Sequence, residues 1–134
     1  MVSNFPAAML AAIHLAYRTP PRAYHAWAHV EDVEQWFQWV DAKRGWKQPR
    51  EVFLAVLLHD AIYEPGAKDN EARSADLALA MIAQHLKGQG VDAPRVAELI
   101  RLTAKHGSLT PQDVDLDAAH FLDCDMAILG SAPE

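Results

Sequence analysis

The segment VFLAVLLHD, residues 52–60, decides how this chain folds. Seven consecutive apolar residues are followed at once by His59 and Asp60. An apolar run of this kind belongs in a core, where two ionisable neighbours are costly unless a partner compensates them. A metal ion is such a partner, because it accepts a neutral imidazole nitrogen together with a carboxylate oxygen. The segment therefore predicts a buried element that ends at a candidate metal site.

Apolar residues on both sides of this segment recur at the spacing of a helix. The run itself favours a helix over about Pro49–Ile62 rather than a buried strand, because the stretch is long and contains no turn signal. Apolar spacing and Pro or Gly punctuation predict five more helices, at about Asn4–Arg18, His25–Arg44, Asn70–Leu86 with Asp69 or Asn70 as its cap, Pro94–His106 and Asp115–Leu129. Since no convincing strand alternation is present, we expect an all-α bundle of about six helices.

Length and composition limit the kinds of protein that this chain can be. Its 134 residues, 51% of them hydrophobic, suffice for a single domain over residues 1–134. The formal net charge of −6 argues against a generic nucleic-acid surface. A single cysteine, Cys124, excludes a disulfide framework and a thiolate-rich zinc site. With no run long enough to span a membrane and no signal-peptide pattern, we expect a cytoplasmic protein without membrane association.

Histidines offer the first candidate ligands. His25 and His29 lie four residues apart at the start of the second predicted helix and face the same side. This spacing occurs in metal sites, although one such pair more often marks two partly exposed histidines. His59-Asp60 alone equally fits a core histidine capped by a carboxylate. Adjacent helix residues point about 100° apart, so that pair can share one ion only near a helix end or between packed helices.

Two carboxylates, Asp123 and Asp125, lie within the apolar segment FLDCDMAILG, residues 121–130. By itself the segment fits a solvated helix edge as well as a functional one. Asp125 precedes Ile128 by three residues and Leu129 by four, and it therefore borders an apolar stripe. Three separated helices thus offer His, His-Asp and Asp, and this joint pattern is more specific than any of its parts.

The order His, His-Asp, Asp resembles the HD-domain superfamily of metal-dependent phosphohydrolases. The segment YHAWAHV, residues 24–30, is similar to the Tyr-His-Asn-x-x-His segment of cyclic-nucleotide phosphodiesterases, which share that fold. Residues 24–33, 57–75 and 121–130 more closely resemble a bacterial group of predicted HD-superfamily phosphohydrolases. The resemblance covers nearly the whole chain, and it implies an HD-domain-like helical bundle.

Residue by residue, the resemblance implies the metal ligands His29, His59, Asp60 and Asp125, with Asp123 as the alternative to Asp125. The phosphodiesterase comparison implies that His25 protonates the leaving oxygen. Asp60 is then also a catalytic candidate, since it can orient or deprotonate the attacking water. The mixed nitrogen and oxygen ligands fit divalent Mn, Fe, Mg, Ni or Zn.

Secondary candidates surround these motifs. Lys68, Asp69 and Glu71 can hold a water, touch a phosphate or order their loop, while capping of the fourth helix is the simpler role for Asp69. His106 resembles the extra histidines that hold a second metal in some relatives, and it equally fits a histidine placed favourably at a helix C-terminus.

Relatives in the bacterial group continue for several more helices, whereas this chain ends nine residues after Asp125. Its last four residues, 131–134, have the form of a helix capping box. We therefore expect either the metal-site half of a longer domain or a shortened version whose exposed face a second copy can cover.

Three functional hypotheses follow. The first is metal-dependent hydrolysis of a small phosphate ester such as a nucleotide. The second is a regulatory module that retains the HD metal site and binds a nucleotide without turnover. The third is a helical domain whose histidines are structural.

Overall fold

The computed structural model describes residues 5–18, 25–62, 68–105 and 114–130. Within these ranges the chain is all-α, as predicted. Its helices are α1 (Ala7–Arg18), α2 (His25–Lys43), α3 (Pro49–Leu58), α4 (Asn70–His85), α5 (Ala93–Leu102) and α6 (Leu116–Gly130), and a 3₁₀ turn (Thr103–Lys105) follows α5. No helix in the described ranges is both long enough and apolar enough to cross a membrane.

The helix ends differ from the predicted bounds by a few residues, most clearly in α3. That helix ends at Leu58 instead of Ile62, because the Ala61 N–H donates to the Leu58 carbonyl and tightens the chain into a turn. At the start of α4, Asp69 rather than Asn70 occupies the cap position, but its side chain makes no capping hydrogen bond.

Helix α3 is the central element of the bundle. Residues 51–58 are all buried, and the helix contacts α2, α4, α5 and α6. A helix without a polar face must be enclosed by others, because any exposed side would leave apolar surface in water. Phe53 of α3 packs against Phe5 and Phe37, with ring centroids 6.0 and 5.2 Å apart. His59 and Asp60 therefore emerge from the end of the most buried helix.

Two buried carboxylates, Asp117 at the start of α6 and Glu51 of α3 itself, connect the opposite end of α3 to its neighbours. Asp117 is 6% exposed and accepts hydrogen bonds from the backbone N–H groups of Lys47 and Gln48, at 3.0 and 2.8 Å. Buried Glu51 accepts a bond from the Asp92 N–H at 2.9 Å. These bonds fasten the start of α3 to the segments that carry α5 and α6.

Asp115 caps α6, and we expect the Asp115→Ala variant to lose about 1 kcal/mol of stability. Its Oδ1 accepts the Ala118 N–H at 2.9 Å and pairs with Arg95 at 2.5 Å. Burial opposes ionisation, but these bonds outweigh it and hold the pKa of Asp115 below its ordinary value. The ionised carboxylate therefore stabilises the fold above that ordinary value, and its contribution disappears as the pH falls through the lower folded-state pKa.

Urea unfolding across acidic pH measures both effects. The matched Asp115→Asn variant keeps an oxygen that can cap the helix, so it should differ from wild type mainly at neutral pH and converge with it in acid. Equal stability of wild type and Asp115→Ala at pH 7 would contradict the capping role.

Candidate metal centre

Three ligand atoms from His29, His59 and Asp60 converge at one end of α2 and α3. The two Nε2 atoms are 3.4 Å apart, and each lies 3.8 Å from Oδ2 of Asp60. Three atoms with these separations can all lie about 2.1 Å from one point, which is a normal metal–nitrogen or metal–oxygen bond length. Among the described residues, this cluster is the group whose geometry can hold a metal ion.

His59 forms the floor of the cluster. Its side chain is 2% exposed, and Nδ1 lies 2.9 Å from the Val56 carbonyl oxygen. Since a carbonyl can only accept, Nδ1 donates its proton there, and in the neutral imidazole Nε2 then presents a lone pair to the cluster. A backbone acceptor of this kind commonly orients metal-bound histidine. Phe121 of α6 packs edge-on against the imidazole, with ring centroids 6.1 Å apart.

His29 and Asp60 form the more open side. The His29 side chain, from the first turns of α2, is 24% exposed, and that of Asp60 is 44% exposed. The cluster thus has a buried floor and a partly solvated rim. Two imidazoles and one carboxylate that meet in this way suit a divalent cation, and the open rim gives a small molecule access to it.

His59 and Asp60 can point toward the same position because they lie beyond the end of α3, where side chains of adjacent residues are not held about 100° apart. Because α3 stops at Leu58, His59 and Asp60 lie in the following turn, where both side chains reach one point. Tyr17 and Ser74 make hydrogen bonds to this turn, and sequence reasoning missed both. The sequence offers one signal for Tyr17, which is its spacing of four residues from the apolar Ile13 and of eight from Met9. The local sequence does not indicate which group its hydroxyl binds.

Two implied site residues have described backbones only. Asp125 belongs to α6 and lies one helical turn after Phe121, and His25 begins α2 one turn before His29. The side chains of Asp125 and His25 lie outside the described part of the structure, as does the whole of His106.

The remaining candidates differ in exposure. Asp123, Lys68 and Asp69 are exposed, and Glu71 is half-buried. The metal-capable group found among the described residues does not include Asp69, Glu71 or Asp123. The structure thus brings together three of the four implied ligands, and these acidic residues are not members of that group.

A cleft of about 400 Å³ opens near the other end of α3, where Trp46 and Arg95 are among the lining residues. Its two carboxylates, Asp115 and Asp117, accept bonds from backbone N–H groups. Among the described residues, no comparable group of converging ligand atoms lines this cleft.

No family model, curated protein or solved structure matches this chain. The HD-domain resemblance therefore rests on the sequence motifs alone.

Proposed function

We propose that this protein is a metal-dependent phosphohydrolase of the HD-domain type that cleaves a small phosphate ester such as a nucleotide. The observation that carries the proposal is the convergence of His29, His59 and Asp60, with ligand atoms 3.4 to 3.8 Å apart. These residues come from two separated segments and have the order His, His-Asp that the resemblance implies. Their position at a half-open helix end supports access by a substrate.

His29, His59 and Asp60 would hold the divalent ion, and we propose Asp125 as the fourth ligand. Asp123 is exposed and its carboxylate is not part of the converging group, which argues against that residue. Asp125 follows Phe121 by one turn of α6, and Phe121 contacts the His59 ring. When bound, such an ion supplies positive charge that offsets the phosphate and makes water a stronger acid.

The protein's own groups supply orientation and proton transfer. The hydrogen bond to Val56 holds His59 in the tautomer that leaves Nε2 available. Asp60, at the solvated rim, would orient the attacking water or accept its proton. His25, one turn before His29 on α2, would protonate the leaving oxygen.

Phosphate release from a panel of nucleotides tests this function. The protein is stripped with chelator and then assayed separately with Mn²⁺, Fe²⁺, Mg²⁺, Ni²⁺ and Zn²⁺, in wild type, His59→Ala and the control His85→Ala. His85 is the last residue of α4 and is not a member of the cluster. We expect turnover by wild type and the control with at least one metal, and only background from His59→Ala.

Two results would overturn the proposal. Equal background from wild type and His59→Ala with every metal would exclude a hydrolase that depends on this cluster. Tight nucleotide binding without turnover would instead identify the regulatory module that the sequence also allows.

A further inference from the structure

A tyrosine from α1 is hydrogen-bonded to the turn that carries the candidate ligands. The Tyr17 hydroxyl donates to the Leu57 carbonyl at 2.8 Å and accepts the Asp60 N–H at 3.3 Å. Tyr17 is 1% exposed and lies 40 residues or more from both partners along the chain. One buried hydroxyl thus connects the last turn of α3 to the backbone of a candidate ligand.

A serine from α4 holds the other side of the same turn. The Ser74 Oγ accepts the Ile62 N–H at 3.0 Å and lies 3.3 Å from the Ile62 carbonyl, to which its hydroxyl can donate. Ser74 is fully buried. Hydrogen bonds from two different helices therefore bracket His59 and Asp60.

This bracketing matters because the ligand atoms must meet within a fraction of an ångström. In a continuous helix, adjacent side chains diverge by about 100°, so the shared position of His59 and Asp60 depends on the path of the turn. The His59 N–H still donates to the Ala55 carbonyl, but α3 ends at Leu58, so the path of the residues after His59 depends on other hydrogen bonds. The Tyr17 and Ser74 hydroxyls supply fixed points on both sides of it.

We propose that Tyr17 and Ser74 are positioning residues of the metal centre. They hold the backbone from Leu57 to Ile62 so that the Asp60 carboxylate reaches the two imidazoles. The inference rests on the proposed function, since it takes the cluster as a metal site. Neither residue belongs to the cluster itself, so both act through the backbone that presents its ligands.

The Tyr17→Phe variant tests the role with little change in volume. It removes one hydroxyl and leaves the Leu57 carbonyl and the Asp60 N–H without that partner. Loss of a group that orients a ligand typically weakens metal binding roughly tenfold to a hundredfold, and we expect a loss in this range. Ser74→Ala should act in the same direction, and it provides a second variant if Tyr17→Phe folds poorly.

Calorimetric titration with Co²⁺ and the visible absorption spectrum of the Co²⁺-loaded protein give two independent readouts. The control is Trp46→Phe, which removes a buried hydrogen bond of 3.2 Å to the Phe37 carbonyl. We expect this control to keep wild-type affinity and spectrum even where urea unfolding shows lower stability. Tyr17→Phe should show both weaker binding and an altered spectrum, because a displaced Asp60 changes the ligand geometry.

The outcomes separate this inference from the proposed function. Wild-type affinity and spectrum in both Tyr17→Phe and Ser74→Ala would overturn the positioning role while the metal site stands. If Trp46→Phe weakened Co²⁺ binding as much as Tyr17→Phe, the loss would reflect general destabilisation of the fold. That result would also overturn the positioning role. A wild-type protein that binds no Co²⁺ would overturn the metal site, and the positioning role with it.

Discussion

The His59→Ala variant is expected to lose divalent-metal binding by at least about a hundredfold, because a few protein ligands share the whole binding free energy, which is about 10–16 kcal/mol in structural zinc sites. His59 is the buried member of the cluster, and its Nε2 lies within 3.8 Å of the ligand atoms of both His29 and Asp60. No other described residue is placed to replace it in that group. Elemental analysis after dialysis and calorimetric titration of the chelator-treated protein measure the loss.

The control for this loss is again His85→Ala, which removes an imidazole outside the cluster. Full metal content in His59→Ala would contradict the metal centre. The same measurement separates the candidates for the fourth ligand, since we expect Asp125→Ala to lose metal and Asp123→Ala to retain it. The reverse result would assign the ligand to Asp123.

The Phe53→Ala variant is expected to destabilise the fold by about 3–5 kcal/mol, the usual cost of truncating a buried phenylalanine. Phe53 is fully buried in the central helix, and its ring contacts both Phe5 and Phe37. Truncation removes apolar burial and leaves a cavity that neighbours on several helices cannot fill together. Urea unfolding followed by circular dichroism gives the change in the free energy of unfolding.

An exposed apolar residue provides the comparison. Leu116 is 59% exposed, so Leu116→Ala should change the free energy of unfolding by no more than about 0.5 kcal/mol. If Phe53→Ala lowers the free energy of unfolding by less than about 1 kcal/mol, then α3 is not the enclosed centre of the bundle. His59 and Asp60 would then not follow a firmly packed helix.

Much of the fold could be predicted from residues 52–58 and the spacing around them. A run that is apolar on every side has to be surrounded, and the amphipathic segments on either side supply the surrounding helices. The prediction failed at the end of α3, where Ile62 seemed to continue the helix. Periodicity could not reveal that Ala61 and Asp60 would make bonds that end it.

At the candidate site, the order and the types of the possible ligands could be read from the sequence alone. His29 and the pair His59-Asp60 were recognisable because an imidazole or a carboxylate beside an apolar segment is costly to bury without a partner. The exposure of Asp123 was not recognisable, because two carboxylates two residues apart lie on different faces of a helix and only packing decides which face is covered.

How those ligands meet depends on the packing of the helices. The Val56 carbonyl selects the His59 tautomer, and the Tyr17 and Ser74 hydroxyls hold the turn from α1 and α4. Such bonds form only when packed helices bring a donor and an acceptor within hydrogen-bonding distance of each other. Local patterns of hydrophobicity carry no information at that precision, because they define which face of a helix is buried and leave open which atom it meets there.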